Sequence, residues 1–248
     1  MALRAYADGA LFAENLGDEP SQVLALHGWG RRGSDFRQSL EGIPALAVDL
    51  PGFGASPPPP TVIGAEGYAN AMTPMLAQLA DPAVLVGHSF GGRVAVELAA
   101  AHPGRFSRLI LTGVPLVRTH PPSRPSAGFR ALRALHKTGL ISDDRMEEIR
   151  RKRGSADYRA ATGVMRDILV KLVNESYESR LETIKSPIEL IWGAEDAEVP
   201  VGVAEHAAEI VRGSGGTVSL QVLDGVGHLL PLQSPESLRL AVERALGE

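Results

Sequence analysis

A serine between two glycines is the strongest chemical signal in the sequence. Ser89 is flanked by Gly87 and Gly91, an apolar β-branched run at 84–86 precedes it, and a segment with helical spacing at 94–98 follows. On such a sharp strand-to-helix turn the serine hydroxyl is exposed, and glycines let the strand and helix pack closely. Because Gly-x-Ser-x-Gly also occurs by chance, it predicts a nucleophile only together with a base and an acid.

Histidine is the side chain suited to act as the base for a serine near neutral pH. Among seven histidines, His228 lies in the glycine-containing segment 225–231, directly after the last predicted strand. A loop in that place reaches the carboxyl edge of the sheet, where open α/β sheets position their sites. His27 ends another strand, and we expect it to brace its loop by hydrogen bonds. We therefore predict that His228 is the base.

The base in turn needs an acid that orients it. Asp196 follows an apolar strand pattern directly and lies between the serine and the histidine in the chain. Glu195 and Glu198 are competing acids in the same loop, and each of the three is otherwise an ordinary solvated side chain. We choose Asp196, which gives the chain order Ser89, Asp196, His228.

The elements that must position these residues alternate between strand and helix patterns. Continuous apolar runs are typical of strands that are buried on both faces of a parallel sheet. They predict strands at 11–15, 22–27, 45–49, 84–87, 108–112, 188–192 and 218–222. Helices are predicted at 64–79, after the serine, at 201–211 and at 235–246. The alternation predicts an α/β protein with a doubly wound, mostly parallel sheet of about eight strands.

Residues 115–185 interrupt the alternation, because they contain no strand pattern. The segment is first rich in proline and then helical and charged. Helices are predicted at 127–135, 142–153 and 158–173. An all-helical block between two strands predicts a lid over the site. The predicted division is therefore a core formed by 1–114 and 186–248, with the lid 115–185 inserted in it.

Composition and charge exclude several classes of function. A net charge of −4 is not typical of a protein that binds nucleic acid. The absence of cysteine excludes disulfides and thiolate metal sites. No apolar stretch reaches the length of about 18 residues that a transmembrane helix needs, and the first residues lack the apolar core of a signal peptide. We expect a cytoplasmic protein that needs no metal ion and no organic cofactor.

Two further segments resemble the α/β-hydrolase superfamily. Residues 27–30, His-Gly-Trp-Gly, look like its oxyanion loop, and residues 49–56 look like its Asp-x-x-Gly-x-Gly-x-Ser segment. The resemblance spans the chain and implies the α/β-hydrolase fold with Ser89 as nucleophile. It also implies that the backbone N–H groups of Trp29 and Phe90 form the oxyanion hole, in which losing one donor costs about 3 kcal/mol of transition-state stabilisation.

Within the superfamily, serine at this position argues against the epoxide hydrolases and haloalkane dehalogenases, which use aspartate. The sequence most resembles small microbial carboxylesterases with a helical lid, including those that cleave methyl esters of carrier-bound acyl chains. This implies ester hydrolysis through an acyl-enzyme. The alternatives are a carbon–carbon-bond hydrolase of ring-cleavage products, a thioesterase or perhydrolase, and a hydrolase-fold receptor for a small ligand. Carbon–carbon-bond hydrolases carry an arginine beside the serine, and Arg93 would imitate it.

The predicted lid is basic, whereas the predicted core is acidic. Residues 115–185 contain 15 basic and 9 acidic residues, a net charge of +6, and the remainder carries −10. The densest patch is 150–153, Arg-Arg-Lys-Arg, whose simpler interpretation is a solvated helix end. A basic lid also attracts anions. We expect a small-molecule ester substrate, anionic or carrier-bound, and neither nucleic acid nor membrane as partner.

Overall fold

The computed structural model describes residues 3–118 and 155–247 and, between them, 131–132, 134–136, 138–142, 145–146 and 149. Its strands are β1 Leu3–Tyr6, β2 Leu11–Asn15, β3 Ser21–Leu26, β4 Ala45–Asp49, β5 Leu79–His88, β6 Phe106–Thr112, β7 Ile188–Gly193 and β8 Val218–Leu223. They form one eight-stranded sheet in the order β1-β2-β4-β3-β5-β6-β7-β8. The pairs β1–β2 and β2–β4 are antiparallel, and the remaining pairs are parallel.

Helices cover both faces of this sheet. They are α1 Arg37–Leu40, α2 Ala65–Met72, α3 Phe90–Ala101, α4 Ala156–Ala160, α5 Gly163–Leu172, α6 Glu178–Leu181, α7 Val201–Gly213, α8 Leu230–Gln233 and α9 Pro235–Gly247. Short 3-10 helices occupy Ala7–Gly9, Gly33–Phe36 and Thr73–Gln78. Helices α2, α3 and α7 pack in one apolar cluster, and α1 and α9 pack in a second cluster on the opposite face.

The central strands divide their side chains between these two clusters. In β3, Leu24 and Leu26 belong to the first cluster, whereas Val23 and Ala25 belong to the second. Successive side chains of a strand point to opposite faces of the sheet, so a strand covered on both sides must be apolar throughout. This explains why continuous apolar runs identified the strands, and the predicted α/β class with its doubly wound, mostly parallel sheet is confirmed.

Three local features of the structure differ from what the sequence predicts. Strand β1 has no apolar run to reveal it, because it is an exposed edge strand. The helix predicted at 64–79 ends at Met72, and a 3-10 helix that contains Pro74 continues it to Gln78. The helix predicted at 158–173 is wrong, because Ala161 and Thr162 are extended and separate α4 from α5.

The segment between β6 and β7 contains helices α4, α5 and α6 and no strand among its described residues. The division into a core and a lid at 115–185 stays a prediction. The helices predicted at 127–135 and 142–153 lie mostly outside the described residues, and the basic patch at 150–153 lies entirely outside them. Within the described part of the chain, no helix combines the length and the apolar character that crossing a membrane requires.

Candidate active site

Ser89 occupies a strained turn between β5 and α3. Its φ is 50°, a left-handed conformation that costs a non-glycine residue on the order of 1–3 kcal/mol. A Cβ on Gly87 would lie 2.5 Å from the Cα of Gly92, and a Cβ on Gly91 would lie 2.2 Å from the carbonyl oxygen of Leu26. The two glycines of the motif therefore let the turn close tightly around the serine.

The structure brings the three sequence-predicted residues together at the carboxyl edge of the sheet. Ser89 follows β5, Asp196 lies in the loop after β7, and His228 lies in the loop after β8. Nε2 of His228 is 3.0 Å from Oγ of Ser89, and its Nδ1 is 2.9 Å from Oδ2 of Asp196. Because a carboxylate only accepts hydrogen bonds, Nδ1 carries the proton and Nε2 is free to accept one from the serine.

Asp196 is held by the backbone of its own loop. Its Oδ1 accepts the N–H groups of Glu198 at 2.9 Å and Val199 at 2.8 Å, which leaves Oδ2 for His228. The competing acid Glu195 instead accepts the N–H of Gly225 at 3.0 Å. Glu198, the other competitor, lies on the opposite edge of the imidazole, with Oε2 at 3.6 Å from Nε2 of His228.

The charges in this group shift two pKa values in opposite directions. Burial alone lowers the pKa of His228, but the hydrogen bond and charge of Asp196, then the charges of Glu198 and Asp157, outweigh it and raise the pKa above its usual value. Burial alone raises the pKa of Asp196, but the hydrogen bonds from His228 and Val199 lower it below its usual value. Asp196 is therefore ionised at neutral pH and stabilises the protonated imidazole.

Gly113 was not anticipated from the sequence, although it limits the space around the imidazole. It follows β6 with a φ of 57°. A Cβ at this position would lie 3.0 Å from Cε1 and Nδ1 of His228 and 3.2 Å from Oδ2 of Asp196. A glycine after an apolar strand was the available signal, but its proximity to the histidine depends on β6 and β8 being brought together by the sheet.

His27 and Asp49 brace the loops on the other side of Ser89. Nδ1 of His27 donates to the carbonyl of Gly28 at 2.7 Å, and its Nε2 accepts the N–H of Leu50 at 3.0 Å. Asp49 accepts the N–H groups of Gly33 at 2.8 Å and Ala55 at 2.9 Å. Burial lowers the pKa of His27 to about 4, so the ring is neutral and His27 has the predicted bracing role.

His88 lies next to the imidazole of His228, with 5.1 Å between the ring centroids. Its Nδ1 donates to the carbonyl oxygen of Thr112 at 3.1 Å and lies 2.9 Å from Oγ1 of the same residue. Its Nε2 has no hydrogen-bond partner within the described part of the chain. Burial, with a further contribution from His228, lowers the pKa of His88 to about 3. His88 is therefore a neutral ring with an unprotonated Nε2.

The oxyanion hole implied by the resemblance stays a prediction, and the structure places its two residues beside the serine. Phe90 is the first residue of α3, where a backbone N–H has no acceptor inside the helix. Trp29 follows β3, and its ring packs edge-on against Phe53 at 4.9 Å and Phe90 at 5.4 Å. These contacts hold the loop of Trp29 against the start of α3.

Two cavities of different character meet at Ser89. The first, of about 170 Å³, is distinguished by an apolar lining of Phe90, Pro115, Leu169, Leu172, Val173 and Val199. The second has a volume of about 180 Å³. The residues that line it and not the first are Gly28, Arg31, His88 and Leu229. Both are also lined by Trp29, Ser89, Asp157, Glu198 and His228. We call them the apolar cavity and the polar cavity.

Arg93 lines the apolar cavity, but its guanidinium is used to hold helix α5. Nη1 donates to the carbonyl of Leu172 at 2.5 Å, and the guanidinium carbon lies 5.7 Å from the ring centroid of Tyr177. The carbonyl belongs to the last turn of α5, where a cation is favourable. Arg93 therefore fixes one end of the helix that forms a wall of the cavity.

The polar side chains around Ser89 are joined by hydrogen bonds. In the ranges that the structure describes, no group of three or more His, Cys, Asp or Glu side chains could hold a metal ion. The polar groups at Ser89 instead form a chain of two hydrogen bonds through His228 to Asp196. Such a chain suits the activation of a serine as a nucleophile.

The fold and this site define the class of protein. The model of the alpha/beta hydrolase family matches residues 23–239, and the chain belongs to this family. Its sheet, its strained serine turn and the order of Ser89, Asp196 and His228 agree with that membership.

Similar proteins include esterases and lipases. The chain is 30% identical to the pimeloyl-[acyl-carrier protein] methyl ester esterase of Aromatoleum aromaticum, over 91% of this chain and 98% of the relative. It is also 30% identical to the lipase LipV of Mycobacterium tuberculosis, over 92% and 94% of the two chains. The esterase EaEST of Exiguobacterium antarcticum superposes with a TM-score of 0.72 at 20% identity, over 100% and 99% of the two chains. The last similarity concerns the fold alone.

Proposed function

We propose that this protein is a serine hydrolase that cleaves carboxylic esters through an acyl-enzyme. The observation that carries the proposal is the chain of hydrogen bonds from Oγ of Ser89 through His228 to Asp196, at 3.0 and 2.9 Å. The relatives named esterase and lipase support the same reaction.

In the proposed mechanism, Oγ of Ser89 attacks the ester carbonyl carbon while Nε2 of His228 accepts the hydroxyl proton. The N–H groups of Trp29 and Phe90 stabilise the oxyanion. As the tetrahedral intermediate collapses, the carbon–oxygen bond to the alcohol breaks and His228 protonates the alcohol. Water then attacks the acyl-enzyme, again giving a proton to His228, and the acid and Ser89 are released.

The apolar cavity is the proposed site of the acyl chain. Its lining by Leu169, Leu172 and Val173 suits an alkyl chain, and each buried methylene contributes about 0.8 kcal/mol. Because Arg93 is hydrogen-bonded to the carbonyl of Leu172, it gives no particular support to the carbon–carbon-bond hydrolase alternative.

The finer substrate proposal is an acyl chain attached to a carrier. It is supported by the names of several relatives, which are esterases of pimeloyl-[acyl-carrier protein] methyl ester. The basic composition of residues 115–185 suits an acidic carrier. The lid role of this segment and a cytoplasmic location belong to the same proposal.

Replacing Ser89 with alanine tests the reaction. We expect kcat for p-nitrophenyl acetate to fall by more than about a thousandfold, the scale of triad deletions. Glu195→Gln is the control, because this loop acid keeps an oxygen that accepts the N–H of Gly225. Hydrolysis that survives Ser89→Ala with the wild-type rate would overturn the mechanism. A series of p-nitrophenyl esters, run beside thioester and lactone substrates, then distinguishes the alternatives.

A further inference from the structure

The polar cavity lies on the side of Ser89 that the proposed acyl chain does not occupy. Its volume of about 180 Å³ exceeds the roughly 30 Å³ that one water molecule takes up in the liquid. Nε2 of His228, which protonates the departing alcohol, borders both cavities. Since the acyl chain takes the apolar cavity, the alcohol portion of the ester is left with the polar one.

The charged groups around this cavity are unequal in sign. Arg31 lines it, but Nε of Arg31 is paired with Oδ2 of Asp35 at 2.5 Å, so the two charges compensate each other. Asp157 and Glu198 lie where the two cavities meet and line both of them, and neither carboxylate forms an ion pair with a lysine or arginine of the described residues. The formal charge of the four groups is therefore −2.

His88 adds an acceptor to the same lining. The residue is 3% exposed, borders the polar cavity, and has an unprotonated Nε2 without a hydrogen-bond partner among the described residues. Because its pKa is about 3, His88 contributes no positive charge at neutral pH. The cavity thus has two carboxylates in its lining, and the buried, unpartnered Nε2 of His88 lies in its wall.

We propose that the polar cavity binds the alcohol portion of the ester, and that Asp157 and Glu198 make it selective for alcohols that carry a positive charge. Glu198 is the stronger determinant, because its Oε2 lies 3.6 Å from Nε2 of His228 and hence close to the departing oxygen. An anionic alcohol portion is disfavoured by the same carboxylates. The inference rests on the proposed ester hydrolysis and not on the finer carrier proposal, since a methyl ester releases an uncharged alcohol.

Three acetate esters test this selectivity. Acetylcholine and 3,3-dimethylbutyl acetate have alcohol portions of the same shape and differ by one positive charge, and 3-acetoxypropane-1-sulfonate carries a negative charge. Their hydrolysis is followed in a pH-stat at low ionic strength, and kcat/KM is compared. We expect the wild type to prefer acetylcholine over the neutral ester about three- to tenfold, the scale of two partly exposed charge pairs, and to use the sulfonate least.

The variants Asp157→Asn and Glu198→Gln, and the two combined, assign the effect to the carboxylates. The combined variant is expected to hydrolyse acetylcholine and 3,3-dimethylbutyl acetate equally, while Glu195→Gln keeps the wild-type ratio. The inference is overturned if the wild type shows no preference, if the combined variant keeps it, or if the wild type cleaves p-nitrophenyl acetate but neither acetylcholine nor 3,3-dimethylbutyl acetate. Failure of the proposed function would give a different result, because the Ser89→Ala variant would then still hydrolyse all of these esters.

Discussion

The carboxyl edge of the sheet and the α4–α5 segment face each other across the cavities, and they are held in different ways. At the sheet edge, Asp196 makes three hydrogen bonds and its side chain is 1% exposed. In the α4–α5 segment, α4 buries no residue, and α5 buries Ile168 and Leu172.

Several hydrogen bonds hold the end of α5 to the rest of the molecule. Arg93 holds the carbonyl of Leu172. Just beyond α5, Glu175 accepts the N–H of Ala65 at 3.1 Å and the hydroxyl of Tyr177 at 2.8 Å. The proposed chemistry thus belongs to an edge that the sheet builds, whereas the wall that faces the proposed acyl chain belongs to α5, whose end is held by these bonds. Changes at the sheet edge should alter kcat for every ester, and changes in α5 should alter the preference among esters.

The largest effect is expected from Asp196→Asn. The N–H groups of Glu198 and Val199 require an oxygen at the Oδ1 position, so the new amide group must present its NH₂ to Nδ1 of His228. The imidazole then carries its proton on Nε2 and cannot accept one from Ser89. We expect kcat to fall about 10⁴-fold, as for this change in another serine triad, with a circular dichroism spectrum like that of the wild type.

Gly113→Ala is expected to reduce kcat by about 10- to 100-fold. Its new Cβ would lie 3.0 Å from the ring of His228, and displacing a catalytic group by about 1 Å can reduce the rate about 100-fold. Gly104→Ala is the matched control, since Gly104 also has a positive φ, 82°, but nothing lies within 4 Å of the new Cβ. Both variants should lose thermal stability, and only Gly113→Ala should lose kcat. Equal kcat values would refute the role of Gly113.

Leu169→Trp tests the role of helix α5 as a wall of the apolar cavity. A larger side chain in the apolar cavity of about 170 Å³ should exclude long acyl chains while short ones still fit. We expect the ratio of kcat/KM for p-nitrophenyl octanoate to that for the acetate to fall about tenfold, which corresponds to the loss of roughly two buried methylenes. Val170→Trp, at an exposed position of the same helix, should keep the ratio. A tenfold change in both variants would contradict the assignment.

The smallest effect concerns the pH dependence of kcat/KM. His228 must be neutral to act as a base, and its pKa is raised above the ordinary value of 6.5, because Asp196, Glu198 and Asp157 outweigh burial. Activity should therefore rise with pH, with a midpoint above 6.5. Glu198→Gln removes one of these charges and should move the midpoint to lower pH, whereas Glu195→Gln should not. A midpoint that moves upward in Glu198→Gln would contradict this account.

Most of the sheet edge was predictable from the sequence because its signals are local. The strands are apolar on both faces, and the serine turn needs glycine at fixed positions. Asp196 also differs from its neighbours in a local way, since a short carboxylate reaches the N–H groups two and three residues ahead. This property separates Asp196 from Glu195 and Glu198, which chain order alone leaves as competitors.

The rest depends on distances that only the folded chain defines. Gly163, with a φ of 52°, directly follows the break at Ala161 and Thr162, but a single glycine inside a helical pattern is tolerated, so it did not identify the break. Gly113 and Glu198 approach His228 from elements far away in the sequence, and the pairing of Arg93 with α5 is of the same kind. Such contacts leave no pattern in the residues on either side.

Covalent labelling tests the central claim most directly. A fluorophosphonate reacts with an activated serine, and the labelled residue is found by peptide mass spectrometry together with the residual rate on p-nitrophenyl acetate. We predict one equivalent of label on Ser89, complete loss of activity in proportion to labelling, and no labelling of Ser89→Ala. Labelling of another residue, or full activity in the protein labelled at Ser89, would contradict the account.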